Sequence, residues 1–219
     1  MQLPNITYKG NLSKDITAAD DYYQEIRYFQ TYEDFVDETS YAKFVKEVER
    51  LVRTHPDYKV FVDWIKHTLG MDFCQVFSHV YDKIDATIEF HHGPIFTLYD
   101  ICEIELTKFL QTGQRVNVYR VANSVLDLHF QLKVNGVMLS KTVHEMAHNE
   151  DIFINLSQSI GDVNAYIKSH ARYFTPETRY KLWTYANLCK DNPTFDKGAL
   201  DLEVVKTYIK PIEGSSIDD

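Results

Sequence analysis

Apolar positions along this chain recur mostly at helical spacing and alternate over only two short runs. In segment 41–54, Phe44, Val48, Leu51 and Val52 share one helical face, and His55-Pro56 breaks the pattern. Residues 57–69 repeat it with Phe61, Trp64, Ile65 and Leu69, and Gly70 ends that helix. A third helix is expected over 72–83. Residues 86–91 then alternate and carry the β-branched pair Thr87-Ile88, which predicts a short strand. Residues 97–111 are apolar at Leu98, Ile101, Ile104, Leu106 and Leu110, with Thr97 as the cap and Thr112-Gly113 as the stop. A helix over about 116–131 carries Val118, Val121, Ala122, Val125 and Leu128.

Asn135-Gly136 is a turn signal, and Val137-Met138-Leu139 fits a second short strand. Ser140 is placed to cap a helix over 141–149. Two or three short helices close the chain, one starting at Pro176 and running through 177–189, and the tail from Glu213 is expected to be mobile. The fold class that follows is mainly α with a small ββα unit, an α+β protein. Strand 86–91 should pair with 137–139, and helix 141–149 should pack across them. Three regions are expected: helical 1–84, a ββα core over 85–157 with a helical insertion at 97–132, and helical 158–219.

Composition narrows the class. The 219 residues are 44% hydrophobic, enough for a real core and too much for general disorder. No run approaches the ~18–20 apolar residues of a membrane span, and residues 1–20 lack the basic-then-apolar order of a signal peptide. Cys74, Cys102 and Cys189 are far apart, which suggests a reducing, cytoplasmic setting and offers no Cys-x-x-Cys zinc site. The net charge of −9 argues against a protein that coats nucleic acid without specificity. The charge is uneven. Residues 1–50 hold ten acids and six bases, so this acidic region is a candidate surface for a protein partner. Residues 106–144 hold five bases (Lys108, Arg115, Arg120, Lys133, Lys141) and one acid, and 164–190 hold another five bases and one acid. These basic segments flank the histidines, where a phosphate backbone would run; two solvated helix faces would look the same.

The chemistry concentrates in two histidine groups, Glu89-Phe90-His91-His92-Gly93-Pro94 and His144-Glu145-Met146-Ala147-His148, with Asn135 nine residues before His144. His144 and His148 stand i and i+4 on a helix, so both can reach one ion. A third ligand from the strand, His91, would leave an open position for water or phosphate. His92, next in the chain, would point elsewhere, and a free imidazole can take a proton from water. His55, His67, His79, His129 and His170 read as ordinary core or surface residues, and Asn123 and Asn149 are amides of no assigned role.

This constellation resembles the HNH, or ββα-metal (His-Me finger), endonucleases. That family has a His-His or Asp-His pair on a strand near a proline, then an asparagine, then a helix bearing the last histidines. The likeness covers residues 88–94 and 135–148 and is nearest to the colicin-type DNases; Phe96-Thr97-Leu98-Tyr99-Asp100 also looks like stretches in HNH proteins of tailed phages. The resemblance implies a divalent metal ion (Mg, Mn, Ni or Zn) on His91, His144 and His148, with His92 as general base and Asn135 orienting it. It further implies hydrolysis of phosphodiester bonds in nucleic acid, DNA before RNA, with Lys108, Arg115, Arg120, Lys133 and Lys141 along the backbone. A phage-encoded protein in the bacterial host cytoplasm, with no membrane partner, would fit. Pro94 follows His92 by two residues where the family often has three, 42 residues separate His92 from Asn135, and the bracing cysteine pairs of many HNH domains are absent.

Two other readings stay open. His144-Glu145-x-x-His148 also matches the zinc-protease helix, with Glu145 as base and His170 or Glu177 as the candidate third ligand. That reading leaves His91, His92 and Asn135 without roles. The third reading is a degenerate HNH fold that serves as a binding or assembly subunit.

Overall fold

The computed structural model describes residue 35, residues 37–149 and residues 151–209. The tail from Glu213 and most of the acidic N-terminal region lie outside the described residues. Helix α1 (Glu38–Thr54) starts at Asp37, whose side chain accepts from the Ser40 N–H. It ends at His55, held extended as a residue before proline must be. His55 then caps α2 (Pro56–His67), its Nδ1 accepting from the Asp57 N–H at 3.1 Å. One histidine therefore stops one helix and starts the next.

The expected third helix does not form. Residues 72–83 run as turns and isolated bridges, with Phe73 opposite Tyr81. Their polar groups are taken by the sheet instead. Gln75 exchanges two hydrogen bonds with the Met138 backbone, at 2.7 and 2.8 Å, and Asp82 accepts from the Ile88 N–H and from Lys66. Phe73, Phe77 and Tyr81 do fall at helical spacing, but Phe77 and Tyr81 stay exposed, so no buried face rewards a helix.

Strand β1 (Ile88–His92) pairs antiparallel with β2 (Gly136–Ser140), Ile88 opposite Ser140 and His92 opposite Gly136. Between them lie α3 (Leu98–Gln111), opened by a Thr97/Asp100 capping box, and α4 (Val118–Phe130), capped by Asn117. The chain leaves β1 through a cis Gly93-Pro94 bond. Asn135-Gly136 is not the expected turn: Gly136 is already in β2. A β-carbon there would run into the Phe90 ring, so the position requires glycine for close approach rather than for reversal.

Helix α5 (Lys141–His148) follows β2 directly. Then come α6 (Val163–His170), α7 (Pro176–Asp191) and α8 (Leu202–Tyr208), with two short 3-10 turns between α5 and α7. The described residues are thus mainly helical with one small antiparallel sheet, as the apolar pattern predicts. Apolar side chains gather in two cores. The larger joins α1, α3 and α4 to the C-terminal helices, and the smaller packs α2 and Val143 of α5 on the sheet through Phe61, Ile65, Phe90 and Met138. Among the described residues no helix is long and apolar enough to cross a membrane, and all three cysteines are buried and unpaired.

Candidate functional site

Strand periodicity sorts the first histidine group. Ile88, Phe90 and His92 are buried, while Glu89 and His91 alternate with them on the other face. Helix α5 brings His144 and His148 to that second face, one turn apart. The three rings of His91, His144 and His148 meet edge to face or tilted, centroids 4.7–5.0 Å apart. Each can offer a ring nitrogen such that all three lie within 4.8 Å of one another. The Nε2 atoms of His144 and His148 are 3.0 Å apart. Glu89 Oε2 lies 2.6 Å from His144 Nδ1. A carboxylate accepts, so His144 Nδ1 carries a proton and donates it to Glu89, and Nε2 faces the other two rings.

The cluster sits at the edge of the protein, His91 and His144 half-buried and His148 exposed. Burial pushes the His91 imidazole down to about 4, and the neighbouring His144 and His148 add to the shift. His148 is lowered as well, chiefly by desolvation. Both are therefore neutral near pH 7, with lone pairs free for a ligand bond. Three imidazoles therefore converge from one strand and one helix at the protein edge. Sequence reasoning gave Glu89 no role. Its signal was its place two residues before His91, hence on the same face of the strand.

His92 is not part of this cluster. It is 4% exposed, on the core side of β1, with Nε2 2.9 Å from His129 Nε2. His129 Nδ1 lies 2.7 Å from the Val125 carbonyl and must donate to it. His129 Nε2 is then an acceptor, His92 Nε2 the donor, and His92 Nδ1 is left buried without a partner. Burial lowers both imidazoles, His129 to about 4. Such a ring, with its one unpartnered nitrogen buried in the core, has no exposure through which to activate a water beside the three histidines. Asn135 is also buried. Its Nδ2 reaches Ser159 Oγ at 3.3 Å and the Gly161 carbonyl at 3.5 Å, and its own carbonyl accepts from the Gly93 N–H. It ties the loop after β1 to segment 159–161 and makes no bond to the His92 ring.

Two of the expected phosphate contacts are committed within the chain. Lys108 is paired with buried Glu105 at 2.9 Å. Arg120 donates to Gln114 and to the Arg115 carbonyl and covers the Phe109 ring. Arg115 and Lys141 are exposed, and Lys133 is half-buried. The residues needed by the protease reading are equally unsuited: Glu145 is exposed, His170 Nε2 is bound to Glu105 at 2.9 Å, and Glu177 pairs with Lys181.

The family described as bacteriophage G278-like virion protein matches residues 6–214, nearly the whole sequence, and the chain belongs to that family. No curated protein and no solved structure matches it. This overturns the likeness to the HNH endonucleases, and with it the endonuclease and protease activities. The resemblance rested on a few residues of one ββα unit, and so small a unit recurs on unrelated chains.

Proposed function

We propose that the chain is a structural subunit of a phage particle that contacts other virion proteins through its folded surface. The observation that carries this reading is the virion-protein family match over residues 6–214. Charge favours protein rather than nucleic acid as the neighbour. The net charge is −9, and Lys108 and Arg120, two of the candidate phosphate contacts, are engaged within the chain. The most concentrated polar chemistry is also spent on holding the fold. Glu105 is fully buried and accepts from His170, Lys108 and Ser124.

The test is the composition of purified particles. Mass spectrometry of phage washed with high salt and nuclease should find this chain at a fixed copy number per particle, and a phage lacking its gene should yield incomplete particles. A chain made in infected cells yet absent from washed particles would sink the proposal.

A further inference from the structure

We infer that His91, His144 and His148 hold one divalent transition-metal ion of the zinc class, as a clamp between strand β1 and helix α5. Zinc binds imidazole nitrogen at about 2.0–2.1 Å, which in a tetrahedral site sets the nitrogens about 3.4 Å apart. Here two of them are 3.0 Å apart and all three lie within 4.8 Å of one another. Glu89 already holds His144 in the tautomer that presents Nε2, the outer-shell arrangement common to zinc-bound histidines. The His144–His148 contact rearranges on binding: His148 carries its proton on Nδ1, and its Nε2 turns to the ion.

The donor set selects the metal. Three imidazoles and no carboxylate or carbonyl favour zinc, nickel, cobalt or copper; magnesium and calcium require oxygen ligands. The three-nitrogen set excludes the magnesium that the sequence alone left open. The position of the ion argues for a clamp. Helix α5 has eight residues, and Val143 is its one buried side chain. A helix that short is marginal on its own, and Val143 with the partly buried Ala147 is a small apolar anchor. Two of its residues and one from β1 would be cross-linked by a single ion, with water in the fourth position on the exposed His148 side. This inference concerns the ββα unit alone and stands apart from the place of the chain in the particle.

The experiment uses the full chain without an affinity tag, stripped with a chelator and titrated calorimetrically with zinc and with magnesium. One zinc ion per chain should bind, zinc should raise the melting temperature, and millimolar magnesium should do neither. Glu89→Gln should weaken zinc binding about 10- to 100-fold. His148→Ala should weaken it further and abolish the thermal shift. His148 is exposed, so this variant should keep the wild-type circular dichroism spectrum even if His91→Ala fails to fold. No zinc binding, equal affinity in His148→Ala, or magnesium competing on equal terms would each overturn the inference.

Discussion

His92 and His129 illustrate how one hydrogen bond assigns protons through a buried pair. The Val125 carbonyl fixes the His129 proton on Nδ1, which makes its Nε2 the acceptor for His92. Neither ring has water to fall back on. His129→Leu should therefore cost about 1–3 kcal/mol, the penalty for leaving the His92 N–H unpaired in the core. Replacing both rings by leucine removes donor and acceptor together, so the double variant should lose less than the sum of the single losses. Denaturant unfolding of the three variants measures this, and strict additivity would show that the pair does not act as a unit. The same scale explains why neighbouring histidines part company. Residues 91 and 92 differ by one step in a period of two, which sends one to α5 and the other to the core.

At the scale of the element, the sheet is small and the outer edge of β2 is paired. Gln75 binds Met138 on the outer edge of β2, and Gly136 exchanges both backbone bonds with Ile160. These contacts keep 72–83 out of a helix and make Gly136 a strand residue. Gly136→Ala would place a methyl group inside the van der Waals envelope of the Phe90 ring. It should destabilise the protein by about 1–3 kcal/mol, and the loss should shrink in a Phe90→Leu background, where the ring is gone. Thermal melts of the four proteins form the cycle. An unchanged penalty in the Phe90→Leu variant would place the strain elsewhere.

For the molecule as a whole, α3 is the organising helix. Its Glu105 binds His170 at the end of α6 and Ser124 of α4, and its Asp100 binds Lys181 of α7 at 2.8 Å. Hydrogen bonds from His170 and Ser124 and the charge of Lys108 outweigh the burial that would raise the Glu105 pKa, and hold it below the ordinary carboxylate value. Acid should therefore unfold the protein in two stages. His129 is neutral in the native state down to about pH 4, whereas in the unfolded chain it takes up a proton near 6.5. Its contribution is complete above pH 6.5 and is lost as pH falls toward 4, about 3 kcal/mol for a fully buried imidazole shifted this far. Glu105 adds stability above the unfolded carboxylate range that disappears only at still lower pH. Urea unfolding in chelator at pH 7.5, 6 and 5 should give falling midpoints, and a flat profile would refute the burial of His129 as a neutral ring.

Apolar periodicity determined α1 to α4 and β1, because each of these is a local repeat with one buried face, while the continuous apolar run 137–139 marked β2 and the cap position of Ser140 with the spacing of His144 and His148 marked α5. The i, i+4 spacing put His144 and His148 on one helix face, and the structure brings His91 to them from the strand. The rest depends on what covers a face, which no local pattern encodes. The irregular run 72–83 follows from hydrogen bonds to β2, Gly136 from the ring above it, and the pairing of His92 with His129 from two residues 37 apart in sequence. Nothing local marks Glu105; its partners Ser124 on α4 and His170 on α6 set it apart. Only tertiary contact decides which polar groups lose water, and that loss made His92 a core residue and left His91, His144 and His148 as the cluster facing solvent.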